Sequence, residues 1–191
     1  MSRGALLNMV GSSTYMHIIG VKEKSICFVL QWKASFEKMD LSGKMAIEQR
    51  IKSAADKFYE IYRAKPYLIP TMVPARVQKV ELHQGEREKA EASAVKQWTY
   101  VLEGNVVETL KEKTEVDDEK KMVTFVVLEG DVMKNYKSIK FIVQVLEKGE
   151  GSSVKLGAEF EKLNERVPYP HKYLILAHKV AKEIDAYLLK A

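Results

Sequence analysis

From Ala94 to Leu163 apolar and polar side chains alternate in five short runs, each closed by a turn signal; beyond Pro170 the spacing switches once to about 3.6 residues. Ala94–Leu102 places Trp98 and Tyr100 on one face and Gln97 and Thr99 on the other. Val106–Val116 is polar and alternates weakly. In Met122–Leu128, Val123, Phe125 and Val127 share a face. Ile139, Phe141, Val143 and Val145 alternate with Lys140, Ile142, Gln144 and Leu146, which predicts a strand buried on both sides. Val154, Leu156, Ala158 and Phe160 alternate most cleanly, against Lys155, Gly157, Glu159 and Glu161. The turns fall at Glu103-Gly104-Asn105, Asp117–Lys120, Glu129-Gly130-Asp131 and Gly149-Glu150-Gly151. The pattern describes an antiparallel sheet of the α+β class with a helix over one face.

That helix runs from about His171 to Leu189. Leu174, Ala177, Ala181, Ile184 and Leu188 form its apolar stripe, with Tyr173, Val180 and Tyr187 beside it. Upstream, Met45, Ile47 and Ile51 share one parity over Gly43–Ile51, with Gln49 an inward polar exception. Ser53 occupies an N-cap position with Asp56 three residues on, close to a capping box. Ala54, Phe58, Ile61 and Tyr62 then fall on one helical face, and Pro66, Pro70 and Pro74 allow only short helical turns. Val77–His83 is a second strand. Residues 1–38 fit no period; Ile26–Trp32 is apolar enough for one strand or a short helix. We therefore expect a poorly ordered extension before a domain at 39–191, and Met39 is a candidate translation start that N-terminal sequencing of native protein would test.

Composition changes this picture little. Length suits one domain with a substantial core. The net charge of +5 is uneven: residues 1–38 hold five basic and two acidic residues, leaving 26 basic against 24 acidic in the body. No concentrated basic and aromatic strip appears, so we expect no nucleic-acid partner and no ribonuclease site. Cys27 is the only cysteine, which suits a reducing compartment and a cytoplasmic location. No apolar run reaches the roughly 18–20 residues of a membrane span, so no stable membrane insertion is expected.

Elements in the order strand, two short helices, six strands, long helix carry several distinctive runs. These are Lys111-Glu112-Lys113-Thr114-Glu115-Val116-Asp117-Asp118, Leu128-Glu129-Gly130-Asp131-Val132-Met133-Lys134, Tyr136-Lys137-Ser138, Lys148-Gly149-Glu150-Gly151-Ser152 and Glu161-Lys162-Leu163-Asn164-Glu165. From Leu41 to Ala191 the chain closely resembles the plant major latex protein family of the Bet v I, START-like superfamily. The resemblance implies the helix-grip fold, a curved seven-stranded antiparallel sheet around the C-terminal helix. It also implies a cavity for hydrophobic or amphipathic small molecules of lipid, steroid or phenolic type, and a role in plant defence or stress responses. Two departures narrow it. His83-Gln84-Gly85-Glu86-Arg87-Glu88-Lys89 stands where the allergen branch has a glycine-rich loop, and one glycine is no phosphate cradle. The turns at Leu102–Asn105 and Leu128–Asp131 match neither the gate nor the latch of the abscisic-acid receptors.

Inward parity predicts a lining of Trp98, Tyr100, Phe125, Val127, Phe141, Val143, Leu156, Ala158 and Phe160. Phe58, Tyr62, Leu174, His178 and Ala181 close it from the helices, and Tyr136 is within reach. The competing reading of any one of these residues is plain core packing. His178 is a candidate to orient a ligand carboxylate or hydroxyl, set against a structural or half-exposed role. The entrance is assigned to Glu103–Asn105, Glu129–Tyr136 and Pro66–Pro74. No cofactor is expected, and no metal: His83, His171 and His178 lack ligand spacing, and Glu115, Asp117, Asp118 and Glu119 lack the EF-hand pattern. No G-x-S-x-G elbow supports serine hydrolysis. The family includes enzymes that condense amines with aldehydes through cavity Lys, Glu and Tyr, but the inward faces offer no lysine that pattern alone places there. A binding protein rather than an enzyme is the expectation; a condensing enzyme and a ligand-dependent regulator of a partner protein are the alternatives.

Overall fold

A computed structural model describes residues 41–84, 94–148 and 151–190. The expected extension with its Ile26–Trp32 element, the loop at 85–93 and the hairpin tip at 149–150 lie outside the described residues.

The chain runs β1 (Ser42–Ile51), α1 (Ala55–Arg63), a 3-10 turn (Pro66–Leu68), α2 (Ile69–Met72), β2 (Val77–Gln84), β3 (Val95–Val101), β4 (Val107–Asp117), β5 (Met122–Gly130), β6 (Tyr136–Lys148), β7 (Gly151–Lys162) and α3 (His171–Leu188). All seven strands form one antiparallel sheet in the order β1-β7-β6-β5-β4-β3-β2, curved around α3. This is the expected helix-grip architecture. Each hairpin joins neighbours, and the step from β1 to β2 crosses the sheet through α1 and α2.

The alternation in β1 and β7 sets their register, with Met45 opposite Ala158 and Ile47 opposite Leu156. On β7's other side Phe141 faces Ala158 and Val143 faces Leu156. Phe58, Ile69, Val123, Val154, Ala181 and Ile184 are fully buried where α1, α2 and α3 meet this surface. Each large apolar side chain among them contributes roughly 1.5–3 kcal/mol relative to exposure. A second apolar cluster, containing Val127, Val132, Tyr136, Ile139, Phe160 and Tyr173, fills the end of the sheet near the start of α3.

Three local expectations need correction. Ser53 does not cap α1: Ala54 holds the N-cap position without a side-chain bond, and the Ser53 hydroxyl donates instead to Asp185 Oδ1 of α3 at 2.7 Å. Helix α1 accordingly buries Ala55, while Ala54 is exposed. Strand β6 is not buried on both faces, because Ile142 and Leu146 keep partial exposure on the convex side, which carries no covering layer among the described residues. Gln49 does point inward, and its Oε1 is buried with no hydrogen-bond partner.

Candidate functional site

Between the concave face of the sheet and α3 lies a cavity of about 140 Å³. Trp98 and Tyr100 of β3, Leu110 and Glu112 of β4, Phe125 of β5, Phe141 and Val143 of β6 and Leu156 of β7 form its sheet wall. Tyr62 of α1 and Tyr173, Leu176, Ala177 and Val180 of α3 close it. Aromatic edges brace the wall: Trp98 meets Phe125 at 5.8 Å and 76°, and Phe141 meets Tyr173 at 5.7 Å. These offset and edge-on contacts hold rings in place without filling the space between them.

Polar groups gather at two points. Lys96 lies directly opposite Glu112 in the β3–β4 ladder. Its Nζ donates to Thr114 Oγ1 at 2.5 Å and lies 4.0 Å from Glu112 Oε1. Trp98 Nε1 donates to Glu112 Oε1 at 3.1 Å, and the Thr114 hydroxyl is 3.1 Å from each carboxylate oxygen. Glu112 is wholly buried. Burial pushes its carboxyl up to about 7, against the opposing pull of Lys96, Trp98 and Thr114. Burial likewise lowers the Lys96 ammonium, partly offset by the Glu112 charge.

At the second point Tyr100 and Tyr173 both donate to Glu108 Oε2, at 3.1 and 3.0 Å, while Lys172 Nζ donates to Oε1 at 2.7 Å. Burial and the adjacent Glu108 hold both phenols well above their ordinary value, so they remain donors. Tyr62 is raised by burial alone. The wall is thus apolar apart from one carboxyl and three phenols, of which those of Tyr100 and Tyr173 are committed to Glu108.

Of the residues expected to line a site, Tyr62, Trp98, Tyr100, Phe125, Phe141, Val143 and Leu156 come together here. Phe58 does not; it is sealed in the core 5.6 Å from the Tyr62 ring. Val127 and Phe160 belong to the second cluster and border a separate hollow of about 570 Å³, where the β5–β6 ladder ends at Val126 and Lys140. Tyr136 joins that cluster, and its hydroxyl donates to the Pro168 carbonyl at 2.9 Å. Leu174 is buried outside the wall, one face away from Ala177. His178 is exposed and does not reach the cavity. Two acids of the acidic turn are engaged within the fold: Asp118 accepts from Arg63 and Tyr59, and Asp117 from Lys120.

The sequence reading missed Leu110, Glu112 and the lysine behind it. Lys96 shares parity with Trp98 and Tyr100, two and four residues on, so the signal for an inward lysine was present.

An apolar cavity gripped between a seven-stranded sheet and one long helix defines the class: a helix-grip protein with an internal pocket. Residues 40–191 match the family model described as the pathogenesis-related protein Bet v 1 family, and the chain belongs to that family, among its major latex proteins. It is 36% identical over 159 residues to MLP-like protein 31 of Arabidopsis thaliana, spanning 82% of this chain and 91% of the relative. It is 38% identical to MLP-like protein 34 of the same plant and spans 48% of that longer chain. The crystal structure of major latex-like protein 151 from Panax ginseng superposes with a TM-score of 0.75 at 37% identity, covering 78% of this chain and 99% of that one. Norcoclaurine synthase from Thalictrum flavum, in complex with dopamine and hydroxybenzaldehyde, shares the fold at 18% identity and TM-score 0.58, covering 75% of this chain and 86% of that one.

Proposed function

We propose that the protein binds and carries an apolar small molecule in the cavity between its sheet and α3. The observation that carries this reading is a wall of aromatic and aliphatic side chains around about 140 Å³ of internal space. Moving apolar surface from water into it is favourable by about 25 cal/mol per Å². The volume refines the ligand class. Pockets for drug-sized ligands span about 300–1,000 Å³, so a steroid or long acyl chain requires the walls to part, whereas a single ring does not. Exchange through Glu103–Asn105, Glu129–Tyr136 and Pro66–Pro74 remains our assignment of the entrance.

Binding rather than turnover is supported by the commitment of Tyr100 and Tyr173 to Glu108, which occupies two of the three phenols in the cavity wall. One observation favours the second reading, a proton-transferring enzyme: Glu112 is held near neutrality in the cavity wall, where a general base belongs. We place the protein in the cytoplasm and in defence or stress responses, the first on its single cysteine and the second on its family.

Native mass spectrometry of protein purified from its own tissue tests the carrier reading, with a bound small molecule as the expected result. Failure of apolar single-ring, fatty-acid and steroid-like probes alike to bind at micromolar concentration overturns it. Turnover of an amine and an aldehyde that is lost in Glu112→Gln, with binding retained, decides for the enzyme.

A further inference from the structure

We propose that Tyr62 sets the specificity of the cavity, selecting a neutral ring compound that carries a hydrogen-bond acceptor and no donor, such as a cyclic ketone or lactone. This deepens the carrier reading and rests on it.

The inference starts from one hydroxyl without a partner. Tyr62 reaches the cavity wall from α1 and is only 6% exposed. Its hydroxyl makes no hydrogen bond to a described residue, and burial alone acts on its proton, keeping the phenol a donor. Among the described residues the sealed side-chain polar atom left without a partner is Gln49 Oε1. The Tyr62 hydroxyl therefore still meets open space, and the space its side chain borders is the cavity. The Phe58 ring at 5.6 Å and the Phe125 ring at 6.5 Å hold the phenol in place.

The other polar groups of the wall are spent. Tyr100 and Tyr173 donate to Glu108, and Trp98 Nε1 donates to Glu112. Glu112 is 0% exposed and both its oxygens are met by Trp98 and Thr114, so it offers a guest nothing. One donor faces an otherwise apolar space, where a proton left unmet is costly.

Counting protons decides what should meet it. A ketone or lactone oxygen accepts the Tyr62 proton and brings none of its own, so no donor remains unpaired. An alcohol brings a second proton, and one hydrogen bond between two hydroxyls leaves one proton over. An amine brings more. A carboxylate would bury a charge with no free cation in the wall, since the Lys96 ammonium donates to Thr114. Size decides the rest. An apolar cavity of about 150 Å³ accepts benzene, and this one measures about 140 Å³.

Cyclohexanone, methylenecyclohexane and cyclohexanol, nearly equal in shape, form the test. Titration calorimetry on the full chain reads the ratio of cyclohexanone to methylenecyclohexane affinity. That ratio is expected to fall roughly fivefold in Tyr62→Phe, which keeps the ring and removes only the hydroxyl. Affinity for the hydrocarbon should stay unchanged or tighten, and cyclohexanol should lose less than the ketone. In the unaltered protein, infrared difference spectra should place the bound ketone's carbonyl band below its position in a hydrocarbon solvent, a readout independent of how the variant folds. An unchanged ratio in Tyr62→Phe, a larger loss for cyclohexanol than for cyclohexanone, or a carbonyl band at its hydrocarbon position overturns the inference. If the hydrocarbon binds and any of these three results appears, the carrier reading stands and this inference falls alone. If all three rings fail together with fatty-acid and steroid-like probes, the carrier reading falls and takes this inference with it.

Discussion

Lys96 and Glu112 face each other across the β3–β4 ladder, both buried, with the ammonium 4.0 Å from the carboxylate and bonded to Thr114 between them. Burial drives Glu112 from its ordinary 4.5 to about 7. A carboxyl whose folded value lies above its unfolded value binds extra protons when folded. Its contribution to stability is complete below 4.5 and is lost as pH rises through 7. Lys96, pushed down, works on the alkaline side, where rising pH towards 10.5 favours the folded chain. Urea unfolding from pH 4 to 8 should therefore show an acid-side advantage of about 3 kcal/mol that vanishes in Glu112→Gln. Parallel pH profiles for the two proteins would refute the assignment.

Asp185, near the end of α3, gathers the link between β1 and α1. Its Oδ1 accepts from the Ser53 amide at 2.8 Å, the Ser53 hydroxyl at 2.7 Å and the Lys52 amide at 3.0 Å. Asp185→Ala should cost about 1–3 kcal/mol by stranding those donors, and Ser53→Ala about 1 kcal/mol. Since both remove the same hydroxyl bond, the double variant should lose less than the two single losses combined. Strict additivity in denaturant titrations would show that the Ser53–Asp185 bond contributes nothing.

Two turn glycines should respond very differently. At Gly130, φ is +120°, and a Cβ would stand 2.3 Å from the Thr109 carbonyl oxygen and 2.6 Å from the Leu110 Cα, backbone atoms that cannot swing aside. Gly104 also has positive φ, +75°, but open space around it. Gly130→Ala should cost more than about 3 kcal/mol and Gly104→Ala about 1 kcal/mol. Equal thermal midpoints for the two variants would contradict this account.

Where one face of a strand is apolar, the alternation was readable: Phe125 and Val127 on β5, Leu156 and Phe160 on β7 are all buried as the pattern required. It faded on β4, where Glu112 and Thr114 point inward while Lys113 and Glu115 point out, so both faces are polar and period two carries no contrast. What makes Glu112 tolerable inside lies across the ladder on Lys96, sixteen positions earlier, and no local window joins them. The site was harder still, because burial and lining are separate properties. Phe58 and Tyr62 share one face of α1, yet only Tyr62 meets the cavity. On α3 the about 100° turn per residue sends Leu176 and Ala177 to the pocket and leaves His178, the next residue, in solvent.

Ala177 offers a direct way to separate packing from ligand binding. It stands on α3 with only a methyl group at the cavity, facing a wall that includes Trp98 and Phe125. Leucine there would extend into vacant space rather than into a packed neighbour. Filling such a void commonly gains stability, so Ala177→Leu should raise the unfolding free energy by about 1–2 kcal/mol. The same side chain occupies the volume a guest needs, so affinity for a single-ring probe should fall more than tenfold. His178→Ala, one residue along and exposed, serves as the control and should leave both properties unchanged. A more stable Ala177→Leu protein that still binds the probe with full affinity would place the ligand elsewhere, and the hollow beside Val127 and Phe160 would then be the next position to block.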